Sequence, residues 1–301
     1  MKGVMTDKVP DAPGPQVTSR QAPSSFAFSN LSRELQLRIA SGLGFAVIAL
    51  AMLYWGSVPF AILLGLVAAA MSWEWNRIVR GEGEDAIAAV HIATALAAAG
   101  VAVIDQAGLA LAVVAIGSIT VAALAVGSGR SAVSGVGVLY TGLPIVALLW
   151  LRGDPSLGLL AVLFILAAVV ATDTAAYFTG RAVGGPKLWP AVSPNKTWSG
   201  LAGGVTAAAL TGAVFPLLTG SGWWVWLSGL GFVLGLVAQA GDLAESALKR
   251  HFGVKDASDL IPGHGGFMDR MDGIVTASIA AALIAAASEA YAPARALLYG
   301  S

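Results

Sequence analysis

The chain has 301 residues, of which 57% are hydrophobic and 11% are charged, and its formal net charge is zero. A soluble domain carries about 25% charged residues, so this composition excludes an ordinary soluble fold. The chain has no cysteine, which excludes disulfides and thiolate chemistry. The zero net charge says little about partners, and the positions of the charges are more informative.

Residues 1–30 are rich in Pro, Ser, Gln and Gly and lack a continuous apolar run, which predicts a disordered tail. No apolar segment follows Met1 closely enough for a cleaved signal peptide. Ser32 to Arg38 is predicted to form a short interfacial helix or the entry to the first membrane span.

Long apolar segments follow the tail. No charged residue lies between Arg38 and Glu74 or between Lys196 and Asp242, and a spanning helix needs roughly 20 apolar residues. Each of these stretches therefore holds two spans, which are separated by Gly, Ser and Pro residues at 56–59 and by Gly and Ser at 220–222. We predict an all-α polytopic integral membrane protein with about nine transmembrane helices, at 39–55, 58–75, 86–104, 107–127, 133–151, 156–178, 199–219, 223–241 and 273–292.

Glycine is frequent within these predicted spans. Small residues let transmembrane helices approach each other closely. We therefore predict helix-packing faces, rather than a direct functional role, at Gly200, Gly203, Gly204, Gly229, Gly231 and Gly235.

The positions of Lys and Arg predict the topology, because these residues favour cytoplasmic loops. With a cytoplasmic N-terminus, every one of the 17 Lys and Arg residues except Arg152 and Arg295 falls on the cytoplasmic side. Part of this bias could instead be functional charge for an anionic substrate. We predict a multi-pass protein of the plasma membrane, divided into a disordered cytoplasmic tail (1–30), N-terminal membrane helices (31–151) and a C-terminal catalytic membrane domain (152–301). The polar segments 179–198 and 242–272 then share the cytoplasmic side.

The first polar region begins inside the sixth predicted span. Asp173, Tyr177 and Arg181 are four residues apart and share one helix face, and a carboxylate within a membrane favours a functional role. A structural link between Asp173 and Arg181 is the alternative. Further on, the Asn-Lys-Thr run at 195–197 supplies donors at a helix start, where a phosphate can bind, although a simple helix cap is an equal alternative.

The second polar region mixes carboxylates and cations in nearly equal number. Asp242, Glu245 and Lys249 form one polar stripe if the eighth span continues as a helix, and Asp269 and Asp272 are one helical turn apart. Carboxylates hold Mg²⁺, which bridges to phosphate oxygens, while Lys and Arg bind the remaining oxygens. The mixture predicts metal-dependent phosphoryl or nucleotidyl transfer, with a salt-bridged surface as the alternative.

The run from Ser246 to Asp272 resembles the signature of the phosphatidate cytidylyltransferases, or CDP-diacylglycerol synthases. It matches that pattern at 246–250 (Ser-Ala-Leu-Lys-Arg), at 255–256 (Lys-Asp) and at 262–272 (Pro-Gly-His-Gly-Gly-Phe-Met-Asp-Arg-Met-Asp). The segments 173–181 and 193–197 are also similar to the family, with a departure at Ser199, where Glu or Gln is common. The resemblance is weaker over 38–151 and does not cover 1–30.

The resemblance implies transfer of a cytidylyl group from CTP to phosphatidic acid, giving CDP-diacylglycerol and pyrophosphate, with Mg²⁺ as cofactor and a second, monovalent cation left open. It implies metal binding by Asp242, Asp269 and Asp272, with Glu245 behind them. The implied catalytic residues are Asp242, Asp269, Lys249 and Arg250. The implied substrate-binding residues are Asp173, Tyr177, Arg181, Lys187, Ser193, Asn195, Lys196, Thr197, Ser246, Lys255, Asp256, His264, Gly265, Gly266 and Arg270.

The implied partners are CTP, phosphatidic acid and the bilayer. Homodimers are frequent in the family, although no residue pattern here shows one, and no nucleic acid is expected. A membrane transporter is an alternative because of the intramembrane Asp173 and the Gly-interrupted helices, but polar residues at one surface favour an enzyme. A related CTP-dependent lipid transferase or kinase is another alternative, because the motif does not specify the lipid tail.

Overall fold

A computed structural model describes residues 33–81, 83–220, 222–261 and 265–300. The predicted tail at 1–30 and the predicted substrate-binding residue His264 lie outside the described residues. Most of the described chain is helical, which confirms the predicted all-α class. Its helices are α1 (Arg33–Trp55), α2 (Ser57–Arg80), α3 (Ala86–Ala102), α4 (Ala107–Leu124), α5 (Ser131–Arg152), α6 (Gly158–Val183), α7 (Trp198–Thr219), α8 (Trp224–His251), α9 (Met268–Ser288) and α10 (Pro293–Tyr299).

The two predicted breaks in the long apolar stretches are real helix ends. Gly56 has φ +129° between α1 and α2, and Gly220 has φ +65° at the end of α7. L side chains rarely adopt such positive φ angles, so glycine ends a helix there at little cost. The Gly220 N–H donates to Pro216 O at 2.8 Å and closes the last turn of α7.

Seven of the described helices are long and apolar enough to cross a membrane: α2 and α4 to α9. The apolar part of α1, Gly42–Trp55, and helix α3 are shorter. These helices establish a multi-pass membrane protein, because apolar helices of this length satisfy their own backbone hydrogen bonds inside a bilayer. The count of nine crossings stays a prediction.

The segment 179–198, predicted as a loop, has regular structure. Helix α6 continues to Val183, and two short strands, β1 (Lys187–Trp189) and β2 (Ser193–Thr197), pair as an antiparallel hairpin. Strands of three and five residues are too short to leave a period-two pattern in the sequence. The seven-residue helix α10, which begins with Pro293, also follows the last predicted span without having been predicted.

Helices α6, α7 and α8 pack closely through small residues. A Cβ atom added at Gly231 would lie 2.3 Å from Ala208 O, and one at Gly204 would lie 2.8 Å from Thr172 O. The predicted packing role is confirmed at Gly200, Gly203, Gly204, Gly231 and Gly235, where an added Cβ would lie 2.9 Å or less from a neighbour. It is wrong at Gly229, which faces open space on the outer side of α8.

Three contacts define the two ends of the helix bundle. At one end the Arg130 guanidinium, just before α5, donates to Val79 O near the end of α2 and lies 5.4 Å from the centroid of the Phe252 ring after α8. At the other end Arg152 Nε donates to Leu53 O at 3.0 Å. The ends of α2 and α8 and the start of α5 therefore lie together, and the described residues 252–261 and 265–267 belong to that end.

Candidate active site

A cavity of about 670 Å³ lies where α6, α8, α9 and the β-hairpin meet. Its walls bring together residues from both polar regions of the sequence. The predicted site residues that line it are Asp173, Tyr177, Arg181, Lys187, Asn195, Lys196, Thr197, Asp242, Asp269, Arg270 and Asp272. Four carboxylates and four basic side chains thus face one space, as a polyphosphate with a bound cation requires.

Helix α6 supplies the first wall of the cavity. Asp173 Oδ1 accepts a hydrogen bond of 3.1 Å from Gln239 Nε2 on α8, and Arg181 Nη1 donates to the Tyr177 hydroxyl at 2.9 Å. The alternative of a structural link between Asp173 and Arg181 is therefore wrong among the described residues, since each side chain has a different partner. Gln239, which the sequence analysis missed, lies among apolar residues on α8, and a lone polar residue inside a predicted span was its only signal.

The β-hairpin and the start of α7 form the second wall. Thr197 caps α7, because its Oγ1 atom accepts a hydrogen bond of 3.1 Å from the Gly200 N–H. Lys196 Nζ lies 2.5 Å from Asp242 Oδ2 in an ion pair. This ammonium is buried and makes no directed hydrogen bond within the described part of the chain. Because this ammonium lies in the cavity lining beside Asp242, an anionic ligand in the cavity would compete with that carboxylate for it.

Ser199, the departure from the family pattern, lies behind this wall. Its Oγ atom donates to Gly184 O at 2.5 Å and lies 3.0 Å from Thr197 Oγ1. Although serine is smaller than the Glu or Gln common in the family, its hydroxyl still links the end of α6 to the start of α7. The wall of the cavity is therefore held together at this position.

Helices α8 and α9 supply the acidic wall. Helix α8 continues to His251, so the predicted polar stripe from Asp242 to Lys249 exists as a helix face. Asp242 lies beside the contact of α8 with α9, where an added Cβ at Gly241 would meet Asp272 O at 2.9 Å. Asp242 and Asp272 therefore enter the cavity from two adjacent helices.

Asp269 has both carboxylate oxygens engaged. Oδ2 accepts hydrogen bonds of 2.9 Å from the N–H groups of Ala257 and Gly266, and Oδ1 accepts from the Lys249 ammonium. The side chain therefore holds the segment before α9 against its first turn. Gly265, with φ +81°, also lies against Asp269, since an added Cβ would be 3.1 Å from Oδ2.

Lys249 is buried between two carboxylates and does not line the cavity. Its ammonium donates to Glu245 Oε1 at 2.9 Å as well as to Asp269, and the hydroxyl of Tyr140 on α5 donates to Glu245 Oε2 at 2.9 Å. This chain of hydrogen bonds runs from α5 through α8 to α9 and holds the acidic wall in position. A direct phosphate contact by Lys249, as predicted, would require it to leave this position.

Several other predicted residues lie away from the cavity. Ser246 Oγ donates to Asp242 Oδ1 at 3.4 Å and can orient that carboxylate. Arg250 donates to Val192 O at 3.5 Å and to Val254 O at 3.3 Å, so it joins the end of α8 to the hairpin.

Lys255 and Asp256 line a separate cavity of about 580 Å³ beside Trp73 and Arg77. Three further predicted residues do not line the cavity of about 670 Å³: Ser193, Gly265 and Gly266.

Glu74 is the main residue of this region that the sequence analysis did not assign to the site. It lies on α2, is fully buried, and accepts hydrogen bonds from Phe267 N (2.9 Å) and Met268 N (2.8 Å) and from the Ser258 hydroxyl. The first N–H groups of a helix have no partner within the helix, so Glu74 satisfies the start of α9. A charged residue near the end of an apolar span was the signal that could have found it.

The acidic wall fits a hard divalent cation. Carboxylate oxygens are its usual ligands, and Mg²⁺ is commonly held by one or two carboxylates together with substrate phosphates and water. Within residues 33–81, 83–220, 222–261 and 265–300, no three His, Asp or Glu side chains are close enough to form a complete metal site. Asp242 and Asp272 could supply the one or two carboxylate ligands that Mg²⁺ commonly takes from a protein.

Comparisons with known proteins agree with this chemistry. Residues 36–287 match the family model described as the cytidylyltransferase family. A phosphatidate cytidylyltransferase of Brucella suis is 38% identical over 248 residues, which cover 81% of this chain and 90% of that protein. The protein of the same name from Bacillus subtilis is 38% identical over 135 residues, covering 44% and 50% of the two chains. A Staphylococcus epidermidis phosphatidate cytidylyltransferase is 43% identical over 136 residues, covering 45% and 51%.

Proposed function

The chain belongs to the cytidylyltransferase family, and we propose that it transfers the cytidylyl group of CTP to phosphatidic acid, giving CDP-diacylglycerol and pyrophosphate. The observation that carries the proposal is the cavity in which four carboxylates and four basic side chains meet at the ends of apolar helices. A soluble nucleotide and the phosphate of a membrane lipid can both reach such a site. The transporter alternative is not favoured, because the relatives are named as transferases.

The basic side chains divide the phosphate groups between them. Lys196 leaves its ion pair with Asp242 and binds the CTP phosphates together with Lys187 and Arg181, while Arg270 binds the phosphate of the lipid. An oxygen of the lipid phosphate attacks the α-phosphorus of CTP, and the bond to the leaving pyrophosphate breaks. The attacking oxygen is already anionic, so no general base is needed, and positioning with charge neutralisation supplies most of the catalysis.

We propose Mg²⁺ as the cofactor, held by Asp242 and Asp272. When bound, it neutralises the charge that develops on the phosphate oxygens. Asp269 remains the third predicted ligand, but both of its oxygens already accept protein hydrogen bonds. Its contribution is therefore to position the first turn of α9, unless Lys249 releases Oδ1. The second, monovalent cation stays a prediction.

We place the protein in the plasma membrane with this cavity on the cytoplasmic side. The bias of Lys and Arg supports that orientation, and CTP is a cytoplasmic nucleotide. The homodimer implied by the resemblance stays a prediction, since a single chain is described.

The direct test uses purified protein with labelled CTP, phosphatidic acid and Mg²⁺. We expect labelled CDP-diacylglycerol, and we expect Asp242→Asn to lower kcat by about 100-fold or more, since removal of one preorganised electrostatic group costs on the order of 10² to 10³ in rate. Asp259→Asn, which changes an exposed carboxylate of the separate cavity, is the matched control and should keep normal activity. Folded wild-type protein that makes no CDP-diacylglycerol would refute the proposed function.

A further inference from the structure

A second cavity, of about 290 Å³, lies next to the acidic wall, between α9 and helices α1 and α2. Its lining includes Phe45 and Ala49 of α1, Leu63 of α2 and Ile274 of α9. Apart from Arg270, every described residue that lines it is apolar or glycine. We call it the apolar cavity. Such a lining suits hydrocarbon, and it offers no partner for the polar atoms of a nucleotide.

Arg270 lies at the boundary between the two cavities, because it lines both of them. We call the cavity of about 670 Å³ the polar cavity. Along the first turns of α9, Asp269 and Asp272 line the polar cavity, whereas Met271 and Ile274 line the apolar cavity. Helix α9 therefore separates the cavities, with a guanidinium at their shared edge. A guanidinium binds phosphate oxygens through paired N–H donors.

The outer wall of the apolar cavity is formed by α1, whose side chains from 42 onward are largely exposed. Phe45 has 41% of its surface exposed and packs edge-on against Phe267, with 5.5 Å between the ring centroids. Phe267 directly precedes α9, so the α1 wall contacts the segment that positions Asp269. Within a bilayer, exposed apolar side chains on α1 lie next to lipid.

We propose that the apolar cavity holds an acyl chain of the lipid substrate while Arg270 contacts the lipid phosphate at its edge. This inference rests on the proposed function and adds the place of the hydrocarbon. A lipid phosphate is anionic at one end and apolar at the other, which matches a guanidinium beside an apolar space. Twelve of the sixteen residues that line the polar cavity are charged or polar, so that cavity suits the nucleotide and the phosphate groups.

The test compares two phosphatidic acids, one with long acyl chains and one with chains of only a few carbons. Ala49→Phe fills the apolar cavity, and Val47→Phe, on an exposed face of the same helix outside the cavity lining, is the matched control. For Ala49→Phe we expect KM to rise about tenfold for the long-chain lipid only, which corresponds to about 1.4 kcal/mol, or roughly two buried methylene groups. KM for CTP should not change.

Equal effects of Ala49→Phe on both lipids, or equal effects of the two variants, would overturn the acyl-chain site. A photoreactive phosphatidic acid with its reactive group on the acyl chain tests the same point in unmodified protein. We expect it to cross-link to helices that line the apolar cavity, above all to α1 between 42 and 55, α2 or α9, and unlabelled phosphatidic acid should compete. Cross-links confined to helices that do not line this cavity, such as α3, α4 or α7, would contradict the proposal.

The two tests also separate this inference from the proposed function. A wild-type protein that cross-links at α1 but converts neither lipid would keep the lipid site and refute the cytidylyl transfer. A protein that converts both lipids with equal KM and is unaffected by Ala49→Phe would keep the transfer and refute the acyl-chain site.

Discussion

Glu74 shows how one buried carboxylate on α2 controls a segment almost two hundred residues later in the chain. Its two oxygens accept from Phe267 N, Met268 N and the Ser258 hydroxyl, so the start of α9 is fixed by the N-terminal half of the molecule. Asp269 and Asp272 lie in the first two turns of that helix. The predicted boundary at 151 and 152 therefore separates residues that act on the same site.

Loss of the Glu74 carboxylate should lower the rate of catalysis more than it weakens nucleotide binding. We expect Glu74→Gln to lower kcat by about 10- to 100-fold, as supporting residues of metal sites do, with little change in KM for CTP. A glutamine keeps one acceptor oxygen and turns its NH₂ group toward a backbone donor. One N–H at the start of α9 is then left without an acceptor, which costs about 1–3 kcal/mol.

Glu84→Gln, at an exposed position near the end of α2, is the control for the Glu74 variant. Steady-state kinetics and thermal unfolding in detergent should be measured on the same samples. If Glu74→Gln loses activity only in proportion to folded protein, Glu74 is structural alone and does not position the site.

At the scale of elements, the connection between α2 and α3 depends on Asp85. Its Oδ1 atom caps α3 by accepting from the Ala88 N–H at 2.9 Å, and Arg80 in the last turn of α2 donates to the same carboxylate. The hydrogen bonds from Arg80 hold the pKa of Asp85 below its ordinary value. The folded state therefore favours the ionised carboxylate, and this stabilisation is present above the ordinary pKa and lost as pH falls through the lowered pKa.

Two substitutions at Asp85 should separate the ion pair from the cap. Asparagine is as good an N-cap as aspartate, so Asp85→Asn should cost at most about 1 kcal/mol, the range of a partly exposed ion pair. That loss should be present at about pH 6 and shrink below about pH 4. Asp85→Ala should lose about 1 kcal/mol more at both values. Thermal unfolding of wild type and both variants across pH checks this, and a pH-independent cost of Asp85→Asn would contradict the ion-pair assignment.

The helices could be predicted from the sequence because each depends on a local property, a long apolar run between breaks such as Gly56 and Gly220. The hairpin β1–β2 could not, because its strands are held by pairing and by α7 rather than by their own pattern. The cavity members in 173–197 and 242–272 could be predicted from charge and motif. The burial of Lys249 between Glu245 and Asp269 could not, because it depends on how α8 and α9 pack.

At the scale of the whole molecule, contacts at both ends support nine crossings. Arg130 touches Val79, so α3 and α4 together return the chain to the end of the bundle where α2 finishes. Helix α3 has 17 residues, or about 25 Å at 1.5 Å per residue, which is close to the hydrocarbon thickness of a bilayer. Arg152 touches Leu53 at the opposite end, so α1 finishes there.

The absence of cysteine allows the orientation to be tested with single-cysteine variants and a membrane-impermeant maleimide. Nine crossings with a cytoplasmic N-terminus place Glu84→Cys and Ala191→Cys inside and Tyr291→Cys outside. Tyr291 is 99% exposed after α9, and Ala191 is exposed in the hairpin turn. In intact cells we expect labelling of Tyr291→Cys alone, and inverted membrane vesicles should give the opposite pattern. Labelling of Ala191→Cys in intact cells would put the polar cavity on the side without CTP, whereas labelling of Glu84→Cys together with Tyr291→Cys would contradict the crossing of α3.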